Sequence, residues 1–332
     1  MAFPTAQRWL LAALLLAGTA SAVSGSVDPY FLDVLMGVGV SIVLASSLNL
    51  INGFTGQFSL GHAGFMAVGA YASAMLSTVV APRLGWSPAL LQWVFFPLSL
   101  LAAGLLAALA GLAVGAPSLR LKGDYLAIVT LGFGEIIRVI LQNVDAVGGA
   151  RGLTGVPTHT NLLWTFGTAA LTVYTVWALL NSTRGRGFLA VADDEVAAEA
   201  MGLDTTGYKI LAFGVGSFFA GVAGGLYAHL KGYLNPGGFS FDKSIEIVVM
   251  VILGGMGRHA GVVFAAILLT LLPEGLRELG SRSVPNPFGG AAWSLDWIKD
   301  MRMILYSLLL ILLMLLRPQG LFHRREPKGP RA

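Results

Sequence analysis

Cysteine is absent from the 332 residues, and its absence excludes disulfides and thiolate metal sites. Charge is also scarce: Asp, Glu, Lys and Arg make up 11% of the chain against 55% hydrophobic residues, and the mean hydropathy is +0.75. A soluble globular chain carries about 25% charged residues, so the composition points to lipid as the solvent. Catalytic signatures are missing as well. The sequence contains no GxxxxGK[ST] phosphate loop, no HExxH, no GxSxG and no acid pair suited to hydrolysis. A membrane-embedded enzyme is disfavoured on that ground, and energy for any transport must come from a gradient or from another subunit. His, Asp and Glu do not cluster at metal spacing, so no metal site is expected and lone His62 reads as a packing or capping residue. The formal net charge of +4 and pI near 9.4 would suit nucleic acid. The basic residues, however, stand at the ends of hydrophobic segments, where the positive-inside rule places them, and nucleic acid is not an expected partner.

What the chain has in abundance is apolar runs. A spanning helix needs about 20 mostly apolar residues, and such stretches fall at 9–23, 31–51, 58–80, 90–114, 125–141, 162–180, 210–230, 245–256, 262–276 and 303–316. The expected fold is therefore all-α, a polytopic membrane bundle of about ten transmembrane helices in a single domain covering 1–332. The connectors 118–124 and 181–209 and the tail after Arg317 are basic. Placing all three in the cytoplasm assigns about twelve Lys and Arg there and about eight outside, with both termini inside. The connectors 145–161 and 231–243 then lie outside, and their Gly, Pro and polar residues suit turns at a water interface. Two segments have a second reading. Residues 9–23 follow Arg8 and end in small residues, as the apolar core of a signal peptide does. Residues 245–256 are short for a crossing and read as a half-helix or a tilted one.

Glycine is the other excess, 43 residues, and much of it lies inside the spans, where small residues let helix backbones approach. Packing is the expected role. Asn49, Asn52, Gln57, Ser59 and His62 lie in a polar stretch between two good spans, and unpaired polar groups in hydrocarbon cost several kcal/mol. It is either a capped cytoplasmic turn or a broken helix lining a solute path, and Glu246 joins it as a path candidate or as a solvated interfacial residue. Glu135 and Arg138 stand i,i+3 inside a span. Charges at membrane depth are rare and usually paired, so an ion pair that orients the helix is favoured over a substrate contact. After Arg184 and Arg186 comes LAVADDEVAAEAMGLD, where Leu189, Val191, Val196 and Met201 alternate with Asp193, Asp194, Glu195 and Glu199 before Gly202 stops the helix. Its acidic face would be repelled by anionic lipid, so an amphipathic helix here calls for a protein partner.

The stretches SLNLINGFTGQFSLGHAGFMAVGAYASAML, GDYLAIVTLGFGEIIRVILQN, SIEIVVMVILGGMGRHAG and LLRPQGL, together with residues 185–213, give the chain a recognisable pattern. It resembles the LivM-type permease subunit of bacterial branched-chain amino-acid ABC importers, in the same order over nearly the whole chain. The resemblance implies the ABC importer permease fold in the bacterial inner membrane. It also implies a heterodimer with a second, related permease, two cytoplasmic ATP-binding subunits and an extracytoplasmic solute-binding protein. ATP and Mg would then be bound by partner subunits and no cofactor by this chain. Within a cytoplasmic loop at 184–208, Asp193, Asp194, Glu195, Glu199, Met201 and Gly202 would form the segment coupled to ATP hydrolysis, similar to the EAA-type loops of other ABC permeases; 318–332 would be a cytoplasmic tail. The outer loop departs from the family pattern at Ala150 and Arg151. Urea and short-amide importers use similar permeases and remain an alternative, as does, in another class, a gradient-driven carrier or channel.

Overall fold

The computed structural model describes residues 3–23, 28–118, 124–280, 283–284, 293–294, 300–317 and 320–321. The basic connector around Arg120 and Lys122 and most of the 318–332 tail lie outside them. Twelve helical elements organise the described chain: α1 (Phe3–Val23), α2 (Pro29–Asn52), α3 (His62–Leu84, with a π turn in its outer part), α4 (Pro88–Ser118), α5 (Asp124–Asn143), α6 (Leu162–Leu180), α7 (Thr183–Asp193), α8 (Glu195–Ala200), α9 (Thr205–Lys231), α10 (Phe241–Gly254), α11 (His259–Gly280) and α12 (Arg302–Leu316). Seven of these, α2 to α6, α9 and α11, are long and apolar enough to cross a membrane. The other three expected spans are helical: α1 and α12 carry the shorter apolar stretches Leu10–Ser21 and Met303–Leu313, and α10 has 14 residues.

Loop contacts sort the helix ends into two groups. At one end, β1 (Leu153–Thr154) pairs antiparallel with β2 (Tyr233–Leu234), Thr160 Oγ1 donates to the Leu226 carbonyl, and Lys231 reaches Asp33 at 2.7 Å. At the other end, Gly257 N donates to Asn49 Oδ1 at 2.9 Å, Leu321 N donates to Leu253 O at 2.8 Å, and Gly56 lies against Ala192. Successive long helices alternate between these ends. The grouping matches the sidedness expected from the sequence, with 145–161 and 231–243 together and the 181–209 connector opposite.

α9 is the axis of the bundle and packs on α2, α3 and α4. Its face carries Gly216, Gly221, Gly224 and Gly225, all buried. A methyl group added at Gly224 would lie 2.0 Å from the Met66 carbonyl oxygen, and one at Gly69 would lie 2.2 Å from the Gly221 carbonyl oxygen. The backbones of α3 and α9 are in contact, which any larger residue would prevent. By contrast, Leu101, Leu105, Leu109, Ile128 and Ile136 are exposed, as side chains that meet acyl chains are.

α10 does not start at the rim. Leu234, Pro236 and Phe239 just before it are buried, and the Phe239 ring packs on Tyr71 and Tyr227 with centroids 6.2 and 6.0 Å away. Ser244 accepts a hydrogen bond from Ala63 N, in the first turn of α3. A 14-residue helix is about 21 Å long, less than the hydrocarbon thickness of roughly 30 Å. The chain enters the bundle as a folded loop and only then becomes helical, so α10 is the half-helix of the two sequence readings.

Candidate functional site

The polar stretch after α2 is non-helical and folds back against the bundle. Asn52 ends α2, Gly56 takes the left-handed φ of +65°, and the chain turns back beside the helix it has just left. His62 Nε2 thereby comes within 2.9 Å of Ser47 Oγ, five residues back from the end of α2. Asn52 Oδ1 accepts from Ser59 N at 3.2 Å and Thr130 Oγ1 of α5 accepts from Leu60 N at 3.1 Å. Asn49, Asn52, Gln57, Ser59 and His62 are all buried within this chain. Non-helical backbone within a membrane bundle is tolerated only where protein or an aqueous cavity covers it, and here protein does. Several atoms nevertheless have no hydrogen-bond partner among the described residues: Asn52 Nδ2, both amide atoms of Gln57, Ser59 Oγ and His62 Nδ1. The segment ties α2, α5, α10 and, through Gly56, the end of α7 to one another.

Glu135 and Arg138 pair on α5, with Arg138 Nη2 2.6 Å and Nε 2.7 Å from Glu135 Oε2. The side chains are 35% and 27% exposed. Glu246 has a partner that the sequence reading passed over: Lys243 Nζ lies 2.8 Å from Glu246 Oε2, again i,i+3. The signal was legible, since the spacing is the one that singled out Glu135 and Arg138.

The amphipathic segment after Arg186 is two helices, a correction to the single helix that the sequence suggests. Asp194 is the reason. Its backbone is extended (φ −155°, ψ 107°), and its carboxylate accepts from Val196 N at 2.9 Å and Ala197 N at 3.0 Å, ending α7 and capping α8. Phe188 and Val191 are buried and anchor α7 to the bundle, whereas Leu189, Val196 and Met201 are exposed, Met201 at 83%. The acids bind within the chain: Glu195 Oε1 lies 2.6 Å from Nζ of buried Lys209, and Glu199 accepts from Thr205 Oγ1 at 2.9 Å. Gly202 takes φ +84° and turns the chain into α9, whose first turn Asp204 caps. The result is a braced two-helix element with its apolar residues outward.

At the opposite end, His229 accepts or donates at 3.1 Å to Ser73 and Ser77 and meets the Pro157 carbonyl at 2.7 Å. His159 stacks on it, and burial holds the His159 imidazole below its ordinary pKa. These contacts fix the loop after β1 onto α3 and α9. A cavity of about 650 Å³ among Leu10, Leu16, Phe166, Val173, Trp177 and Val263 is apolar, and Glu135, Arg138, Lys243 and Glu246 do not line it.

Comparison with known proteins adds an independent line. The family described as branched-chain amino acid transport system / permease component matches residues 30–314. The high-affinity branched-chain amino acid transport system permease protein LivM of Escherichia coli is 33% identical over 324 residues, covering 87% of this chain and 69% of that protein. The probable branched-chain amino acid transport permease protein LivM of Methanocaldococcus jannaschii is 26% identical over 321 residues, covering 87% of this chain and 92% of that protein. LivH of Salmonella typhimurium, another high-affinity branched-chain amino acid permease, is 23% identical over 304 residues, covering 86% and 91%.

Proposed function

The chain belongs to the branched-chain amino acid transport system permease component family, and from that premise we propose that it carries branched-chain amino acids through the bacterial inner membrane as one of two paired permeases. Two separate cytoplasmic subunits hydrolyse ATP with Mg, and an extracytoplasmic solute-binding protein delivers the solute. The α7–α8 element is the docking knob for an ATP-binding subunit, within a cytoplasmic loop at 184–208. The observation that carries this is the exposed apolar triplet Leu189, Val196 and Met201 on an element whose Glu195 and Glu199 are turned back to Lys209 and Thr205. The shape braces the joint, and the apolar side chains make the contact. Asn49, Asn52, Gln57, Ser59 and His62 then form a joint that carries displacement from α7 to α5 and α10, and Glu246 faces the solute path.

The cysteine-free sequence allows a clean test of sidedness. Single cysteines at Ala197 and at Thr158 are expected to react with an impermeant maleimide from opposite sides, Thr158→Cys in intact cells and Ala197→Cys only in inverted vesicles. Labelling of Ala197→Cys from outside would overturn the assignment. The solute is tested separately, by reconstituting the complex with its binding protein: leucine, isoleucine or valine is expected to compete for uptake of labelled leucine, whereas urea and acetamide are not. The opposite ranking would transfer the chain to a urea or short-amide importer.

A further inference from the structure

Both intramembrane ion pairs are anchored to a single turn of helix. A methyl group added at Gly64 would lie 2.8 Å from the Gly134 Cα, so the first turn of α3 touches α5 at the residue next to Glu135. Ala63, one residue earlier, donates to Ser244, which stands between Lys243 and Glu246 on α10. The pairs therefore lie at one depth on adjacent elements, and α5 also packs on α10 and on the turn that precedes it. That depth is inside the bundle, level with Ser47 rather than with either end of α2.

Neither pair is enclosed. Side-chain exposures of 27% and 35% for Arg138 and Glu135, and 27% and 38% for Lys243 and Glu246, leave charge that hydrocarbon would penalise by several kcal/mol. On α5 the pair does not share the lipid-facing stripe. Tyr125, Ile128, Ile136, Val139 and Ile140 are the exposed apolar residues; at 100° per residue Glu135 and Arg138 fall on the flank between that stripe and the side of the buried Leu126, Ala127 and Thr130.

We propose that Glu135, Arg138, Lys243 and Glu246 line a hydrated solute passage at this level of the bundle, and that they form a subsite for zwitterions. Each pair offers one cation and one anion within a few ångströms. A free α-amino acid presents the complementary set, a carboxylate for Arg138 or Lys243 and an ammonium for Glu135 or Glu246. Among the described residues each pair hydrogen-bonds to itself, and such a pair of opposite charges keeps a charged, net-neutral solute at low cost and releases it by closing again. The proposal rests on the permease reading above and adds to it the residues and the ligand chemistry.

The test uses the whole complex in proteoliposomes. Gln142→Cys, on the charged flank of α5 one helical turn beyond Arg138, is expected to react with both cationic and anionic methanethiosulfonates and to be protected by leucine together with the binding protein. Ile128→Cys and Ile136→Cys, on the apolar stripe, are expected to be inert. In parallel, Glu135→Gln with Arg138→Gln keeps a hydrogen-bonding pair without charge and is expected to raise the apparent KM for leucine about tenfold, the loss associated with a charge-assisted hydrogen bond. Retained assembly with the partner subunits in detergent shows that the variant has folded. Inert Gln142→Cys, or wild-type KM in the assembled double variant, would overturn the subsite. Failure of the permease reading is separate and visible in the unmodified complex, as leucine uptake that does not require ATP.

Discussion

Met201→Asp is expected to abolish leucine uptake and solute-stimulated ATP hydrolysis while leaving the permease folded and inserted. Met201 is 83% exposed, so the free subunit loses almost no packing when it is replaced. A buried anchor in an interface contributes about 2–4 kcal/mol, equivalent to roughly 30- to 1000-fold in binding, and a carboxylate in its pocket adds desolvation. Gly202→Pro should have the same outcome by another route. Its φ of +84° lies far from the value of about −65° that proline enforces, and its N–H donates to Glu199 O at 2.9 Å. The turn from α8 into α9 would not form. Glu199→Gln should be much milder, because a glutamine oxygen still accepts from Thr205. The measurement is ATPase stimulation by solute and binding protein in proteoliposomes, with detergent assembly as the control for folding. Normal stimulation in Met201→Asp would remove α7–α8 from the coupling route.

Gly224→Leu is expected to prevent assembly altogether. Its Cβ would lie 2.0 Å from the Met66 carbonyl oxygen, a backbone atom that cannot swing aside, so α3 and α9 must separate. Overpacking of this kind costs roughly 1–3 kcal/mol or more, and it opens the contact around which the other spans are arranged. Gly132→Leu on the open side of α5, where nothing lies within 4 Å, should be tolerated. Comparable yields of monodisperse complex from the two variants would contradict the packing role given to the α9 glycines.

How far these features were legible depends on which physical property marks them. Burial in lipid marks a span by composition alone, and each of the ten apolar runs is helical over most of its length. Their lengths were less legible, because the hydropathy of 245–256 says nothing about Leu234, Pro236 and Phe239 folding into the bundle ahead of α10. The glycine contacts were legible in kind, since lipid gives helices no reason to associate except close packing, but not in pairing: nothing local joins Gly69 to Gly221. The polar stretch after α2 was recognisable as a break. That Leu60 and Ala63 bond to Thr130 and Ser244 depends on contacts 70 and 181 residues away in sequence. In the amphipathic segment after Arg186, periodicity suggested one helix because Asp194 is compatible with a helix interior. Its capping of Val196 and Ala197 wins once the backbone there is extended, and the same local competition between side chain and backbone hid the split.

The central claim is that this chain moves solute with energy supplied by separate ATP-binding subunits. It is tested most directly by leucine uptake into proteoliposomes containing the full complex, with the binding protein outside and ATP enclosed. Uptake is expected to require internal ATP, to disappear when the partner subunits carry a hydrolysis-deficient phosphate-loop lysine substitution, and to persist when ionophores collapse every ion gradient. Uptake that continues without ATP and stops with the ionophores would contradict it and make the chain a gradient-driven carrier.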